Sequence, residues 1–129
     1  MESALFAYGT LMPCGPESAA RQGWEPDAVR GRLFDLGPYP GLIDIGDPMA
    51  GWVEGFVRRG LSPELLRQLD AYEGSLYQRV RTTTRRHCVV WVYVYNGPLP
   101  RDAGGPLTRW EGTVGAWPCS LIDSHQGDS

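Results

Sequence analysis

Lysine is missing from this chain of 129 residues, and histidine and cysteine are scarce. All 12 cationic side chains are arginine and the formal net charge is −3, so nucleic acid and anionic membranes are not expected as partners. The 2 histidines and 3 cysteines form neither a C-x-x-C pair nor a recognisable ligand spacing. This argues against a structural zinc site and a disulfide framework, and we expect no metal and free thiols.

Long apolar runs and phosphate-binding loops are missing as well. No segment approaches the roughly 18 apolar residues of a membrane span, and the N-terminus lacks the basic flank and apolar stretch of a signal peptide. Neither G-x-x-x-x-G-K nor G-x-G-x-x-G occurs, so nucleotide binding has little support. These absences predict a cytoplasmic protein with no membrane partner.

The chain does contain many short apolar or alternating runs, separated by glycine and proline. Its length predicts a single domain over residues 1–129, with an irregular tail from about residue 98 and fraying from about 119. We expect one clear helix after Ser62, a shorter one at 18–23, and five to seven strands, at 4–8, 28–36 (with a bulge), 42–45, 52–58, 77–85 and 88–95. This order predicts an α+β fold: a small antiparallel, partly closed β-barrel with one or two helices packed outside.

The main helix has clear start and stop signals. Ser62 is a favourable N-cap, Pro63 suits the first helical position, and Gly74 suits the position after the end. The helical spacing predicts two groups of side chains. The apolar stripe contains Leu65, Leu66, Leu69 and Tyr72, and the residues facing away are Arg67, Gln68 and Asp70.

Glu73 is the principal candidate for chemistry. It ends the helix, where the macrodipole presents its negative end and disfavours a carboxylate. The dipole and burial beside the apolar stripe would both raise its pKa, which suits a group that exchanges protons near neutral pH. The plain alternative is a solvated acid on the surface.

The second candidate is the segment Tyr8, Gly9, Thr10 and Leu11, which follows the first predicted strand. Glycine at a strand end lets backbone N–H groups converge on a bound anion. The plain alternative is an ordinary turn. Together the segment and Glu73 suggest a small enzyme with one acid/base carboxylate and one backbone anion cradle.

Two further groups of residues are weaker candidates. Cys14 with His87 or His125 could form a thiol hydrolase, whereas His87 and Cys88 are neighbours on a predicted strand and would face opposite sides. A run of arginines could bind phosphate but is more often the wet face of an exposed strand. The run comprises Arg79, Arg81, Arg85 and Arg86.

Four segments in a fixed order resemble the gamma-glutamylcyclotransferase-like family, which includes the gamma-glutamylamine cyclotransferases. They are FAYGTL at 6–11, YPGL at 39–42, LDAYEG at 69–74 with Tyr77 and Arg79 after it, and WVYVY at 91–95. The resemblance covers roughly residues 4–97, and the ordered set is more specific than any single motif.

The resemblance implies an antiparallel β-barrel with outer helices and no cofactor. It makes Tyr8, Gly9, Thr10 and Leu11 the loop that holds the glutamyl head of a small-molecule γ-glutamyl substrate, and Glu73 the general acid/base. It also places the aromatic strand that ends at Tyr95 near the cavity. The reaction would release 5-oxoproline and a free amine.

Other functions remain open at this point. A protein of the same fold could bind a small molecule without turnover, and an interaction protein could use the tryptophans of the tail, Trp110 and Trp117. Neither the leaving amine nor the oligomeric state follows from the sequence.

Overall fold

A computed structural model describes residues 3–8, 23–36, 40–101 and 103–108. Within these residues it contains eight strands and one helix. The elements are β1 Ser3–Ala7, β2 Trp24–Arg30, β3 Arg32–Asp35, β4 Pro40–Ile43, β5 Trp52–Leu61, α1 Pro63–Glu73, β6 Tyr77–Thr83, β7 Val89–Tyr95 and β8 Gly104–Leu107. The predicted α+β class is confirmed.

The strands form two sheets. The larger has the order β2-β5-β1-β7-β6 and the smaller the order β4-β3-β8. Neighbouring strands are antiparallel except for β1 and β7, which are parallel. Over the described residues neither sheet closes on itself, so the partly closed barrel stays a prediction. The turn between β6 and β7 nevertheless reaches the opposite edge, where the Arg85 N–H donates to the Ala28 carbonyl at 2.8 Å.

Strand β1 lies at the centre of the larger sheet and contributes to two cores, because alternate side chains point to opposite faces. Leu5 and Ala7 pack with the helix, and Phe6 and Tyr8 pack between the two sheets. The helix-side cluster contains Leu5, Ala7, Trp24, Leu61, Leu65, Leu66, Leu69 and Tyr93. The inter-sheet cluster contains Phe6, Tyr8, Val29, Leu33, Leu42, Val53, Val57, Val90 and Val92.

The expectation of one bulged strand over 28–36 is wrong. The segment contains two strands, β2 and β3, which belong to different sheets and are separated by Gly31. A Cβ atom at Gly31 would lie 2.9 Å from Leu42 Cδ1 and 3.2 Å from the Ile43 carbonyl oxygen, so a side chain there would require the neighbouring residues to shift. What looks like a bulge in the sequence is therefore the point where the chain changes sheet.

The helix begins and ends as predicted. Ser62 Oγ accepts the Leu65 N–H at 3.1 Å, and Gly74 follows the last turn at φ 78°. Strand β8, by contrast, was not predicted, since it lies in the tail expected to be irregular. The helix predicted at 18–23 falls almost entirely outside the described residues, as does the end of the chain from 109. Nowhere in the described ranges does a helix have the length and apolar character needed to cross a membrane.

Candidate active site

Glu73 occupies the last residue of α1, and no basic side chain lies in that last turn. Its side chain is half-buried. Burial raises the pKa of the Glu73 carboxyl from 4.5 to about 7, because a charged carboxylate loses hydration there. The helix therefore ends in an acid that can both accept and release a proton near neutral pH.

Tyr8 directly follows β1, and its hydroxyl interacts electrostatically with the Glu73 carboxyl. Its ring is buried between the sheets, and its hydroxyl donates a hydrogen bond to the backbone carbonyl of Tyr93. Burial raises the pKa of Tyr8 well above its ordinary value, and the nearby Tyr77 and Glu73 raise it further. The electrostatic influence of Glu73 on Tyr8 indicates that the helix end and the end of β1 border one region.

A polar network lies beside Glu73 and was not predicted. Asp70 accepts the Tyr93 hydroxyl at 2.6 Å and binds Arg79 through two bonds, from Nε at 2.8 Å and from a terminal guanidinium nitrogen at 3.0 Å. The expectation that Asp70 faces away is therefore wrong. The spacing could have suggested the position of Asp70, since Asp70 precedes Glu73 by three residues and such pairs share a helix face. Conversely Tyr72, which was placed on the apolar stripe, is 39% exposed.

Aromatic residues of β6 and β7 bring the smaller sheet to the same region. The Tyr77 hydroxyl donates to the Pro40 carbonyl at 2.6 Å, and the Tyr77 and Tyr95 rings meet edge to face at 5.7 Å. A Cβ atom at Gly41 would lie 3.2 Å from Tyr95, so β4 approaches this pair closely. The Tyr95 hydroxyl donates to the Pro98 carbonyl at 2.9 Å. The hydroxyls of Tyr77 and Tyr95 already donate to backbone carbonyls. We therefore expect the two rings to shape the site and not to donate hydrogen bonds to a substrate.

Gly9, Thr10 and Leu11 lie outside the described residues, as does Tyr39. The anion cradle therefore stays a prediction, and the structure describes only Tyr8 of the predicted loop.

The structure gives little support to the remaining candidate residues. His87 and Cys88 lie in the turn before β7, with His87 at φ 67°, and not on a strand as predicted. Cys14, His125, Trp110 and Trp117 fall outside the described residues. Of the four arginines, Arg79 is half-buried and paired, which contradicts the wet-face interpretation; Arg81, Arg85 and Arg86 are exposed. Across the described ranges no group of three or more His, Cys, Asp and Glu side chains could hold a metal ion.

Comparisons with known proteins match both the sequence and the fold. A family model described as gamma-glutamyl cyclotransferase, AIG2-like, matches residues 5–112. An AIG2-like protein of Mus musculus is similar with a TM-score of 0.66 and 20% identity, over 86% of this chain and 90% of that one. No curated protein sequence matches the chain.

Two further solved structures share the fold. A protein of Arabidopsis thaliana has a TM-score of 0.56 and 27% identity, over 74% of this chain and 63% of its own. An uncharacterized protein of Pyrococcus horikoshii has a TM-score of 0.55 and 17% identity, over 74% of this chain and 80% of its own. These likenesses agree with the α+β arrangement of mostly strands and one helix.

Proposed function

Because the chain belongs to the gamma-glutamyl cyclotransferase, AIG2-like family, we propose that it cleaves a γ-glutamyl amide or amine and releases 5-oxoproline. One observation carries the proposal. The helix ends in a half-buried carboxyl whose pKa burial raises to about 7, and hydrogen bonds through Tyr93 link the same helical turn, at Asp70, to the buried Tyr8 after β1. An acid in such a place costs stability, which a purely structural helix end would avoid.

The substrate supplies its own nucleophile. The α-amine attacks the γ-carbonyl carbon, the new C–N bond closes a five-membered ring, and the bond from that carbon to the leaving nitrogen breaks. The α-ammonium loses two protons in becoming a lactam N–H, and the leaving nitrogen gains two in becoming an ammonium. Glu73 carries each proton in turn and ends in its starting state, so the reaction as written needs no cofactor.

The remaining contribution is orientation. Backbone N–H groups of Gly9, Thr10 and Leu11 would bind the α-carboxylate, with Tyr8 anchoring the segment, and a neighbouring donor would stabilise the oxyanion. Well-oriented intramolecular attack is worth up to about 7–11 kcal/mol, and proton transfer by one carboxylate adds about 10²–10⁴-fold. In this proposal the two sheets surround the substrate as a partly closed barrel.

The test is turnover of a γ-glutamyl panel by the wild type and by Glu73→Gln. The panel contains γ-glutamyl amino acids, peptides, an ε-lysyl isopeptide and polyamine conjugates, with 5-oxoproline quantified directly. We expect Glu73→Gln to lower kcat by about 10²–10⁴-fold while the variant still binds substrate in calorimetry. Glu64→Gln is the matched control, because Glu64 is an exposed acid in the first turn of the same helix.

Two outcomes would contradict the proposal. Retained turnover in Glu73→Gln would remove this residue from the mechanism. Binding of γ-glutamyl compounds by the wild type with no 5-oxoproline from any of them would instead identify a non-catalytic binding protein of the same fold.

A further inference from the structure

Tyr93 links the two elements that meet at the candidate site. Its backbone carbonyl accepts the hydroxyl of Tyr8, at the end of β1, and its own hydroxyl donates to Asp70 of α1 at 2.6 Å. The Tyr93 side chain is buried at 3% exposure. One residue of β7 therefore ties the end of β1 to the last turn of the helix.

Asp70 makes further hydrogen bonds through its side chain and its backbone carbonyl. Arg79 of β6 binds both of its carboxylate oxygens, and the Arg79 guanidinium lies 4.5 Å from the centre of the Trp91 ring. The backbone carbonyl of Asp70 accepts the Gly74 N–H at 3.1 Å. A bidentate Arg–carboxylate pair fixes orientation as well as distance, so the last turn has little freedom to move relative to the sheet.

Stability alone gives little reason for this network. The Tyr93 side chain is buried, but the Asp70 side chain is 40% exposed, and ion pairs with such exposure contribute little to stability. What the network adds is one defined arrangement of the elements it joins. The element fixed here is the helical turn that carries Glu73.

We propose that Tyr93 and Asp70 are positioning residues, which fix the Glu73 carboxyl relative to the end of β1. The inference rests on the proposed function, because the position matters only if Glu73 must reach a substrate held after β1. In this proposal neither Tyr93 nor Asp70 contacts the substrate. Their effect on turnover is exerted through the placement of Glu73.

Electrostatics alone would not produce this effect. The titratable groups that interact electrostatically with Glu73 are Tyr8, after β1, and Tyr93 of β7, and the Asp70–Arg79 pair of α1 and β6 acts on Tyr93. The pair carries opposite charges that bind each other. Tyr93→Phe removes a neutral hydroxyl and retains the backbone carbonyl that Tyr8 uses, so it breaks the link without changing any charge.

The experiment compares Tyr93→Phe with the wild type in two measurements: the kinetics of 5-oxoproline release, and the pKa of Glu73 by NMR titration of its carboxyl carbon. We expect kcat to fall on the order of 10–100-fold, as a displacement of about 1 Å would produce, with KM little changed. We also expect the Glu73 pKa to move from about 7 toward its ordinary 4.5, because a displaced carboxyl regains water.

Arg79→Lys and Arg81→Lys provide a matched pair if Tyr93→Phe folds poorly. Both arginines lie 4.5 Å from the same Trp91 ring, but only Arg79 binds Asp70 within the described residues. Lysine retains the charge and cannot reproduce the two-bond geometry. We expect Arg79→Lys to lower kcat and the Glu73 pKa, and Arg81→Lys to change neither.

Several results would overturn the inference. One is an unchanged kcat and Glu73 pKa in a folded Tyr93→Phe; another is a loss of kcat that only follows the folded fraction. Equal effects of the two lysine variants would also overturn it. If the wild type releases no 5-oxoproline, the proposed function fails, and the NMR titration still decides whether Tyr93 holds Glu73 in place.

Discussion

The acidic side chains at the two ends of α1 have opposite effects on the stability of the helix. At the start, Ser62 caps the Leu65 N–H, Pro63 occupies the first position and Glu64 lies in the first turn, all of which stabilise a helix. At the end, Glu73 faces the negative pole of the macrodipole with no basic side chain in the last turn. The first end follows the rules of helix stability and the second breaks them.

This difference identifies the last turn of α1 as the part of the helix with the lower local stability. Leu65, Leu66 and Leu69 bury the middle of the helix against the larger sheet, with at most 3% exposure. This burial is strong enough to hold a helix whose last turn is unfavourable by itself. A rule broken at one end only, beside a polar network, is typical of a functional site.

The largest effect expected from this comparison is a gain of stability in Glu73→Gln. The raised carboxyl pKa means that the folded state binds the proton more tightly than the unfolded state does. The free energy of unfolding therefore decreases as pH rises from 4.5 to about 7, and the cost is fully present above that range. Glutamine removes the titration, so we expect the variant to be more stable by about 2–3 kcal/mol at pH 8.

Denaturant unfolding at several pH values measures this gain. The difference between Glu73→Gln and the wild type should shrink as pH falls and vanish below 4.5, the ordinary pKa of the carboxyl. Glu64→Gln, at the other end, should instead lose about 0.3–1 kcal/mol at neutral pH. If Glu73→Gln and Glu64→Gln changed the free energy of unfolding equally, the two ends of the helix would not differ in this respect.

Gly74→Ala should produce a loss of about 2 kcal/mol, within the range for a strained backbone residue. Gly74 has φ 78° and ψ −168°, a conformation that is almost restricted to glycine, and a Cβ atom there would meet nothing within 4 Å. The expected cost is therefore conformational and not steric. Thermal or urea denaturation measures it.

Gly51→Ala is the control for this measurement. A Cβ atom at Gly51 also meets nothing within 4 Å, but its backbone does not have positive φ. Its substitution should be neutral or slightly stabilising, because alanine lowers the entropy of the unfolded chain. If the two glycines gave the same result, the turn after Glu73 would not depend on glycine.

The helix and the class of the fold could be predicted from the sequence because their signals are local. Capping residues, helical spacing and alternation act within a few residues of one another. The change of sheet at Gly31 and strand β8 depend on partners distant in the chain: Leu33 pairs with Leu42 on one side and with Leu107 on the other. No local pattern specifies such pairings.

The residues of the candidate site differ in the same way: some have a local signal in the sequence and others do not. Glu73 was predicted because it conflicts with its own helix end, a conflict visible in six residues of sequence. The Asp70–Arg79 pair was missed because each residue looks like an ordinary surface charge until Tyr93 and Trp91 are placed beside them. The role of Gly9, Thr10 and Leu11 stays a prediction, because these residues lie outside the described part of the chain.

The smallest effect concerns the favourable end of the helix. Ser62→Ala removes the acceptor of the Leu65 N–H, and we expect a loss of about 1 kcal/mol of unfolding free energy. Ser75→Ala is the control, since the Ser75 hydroxyl makes no hydrogen bond within the described residues, and it should stay within about 0.5 kcal/mol. Turnover by Ser62→Ala should equal that of the wild type wherever both are folded, because the 11 residues of α1 separate the cap from Glu73 by about 16 Å. Slower turnover in the folded variant would mean that the cap also helps to hold Glu73, and the two ends would then have to be treated as one unit.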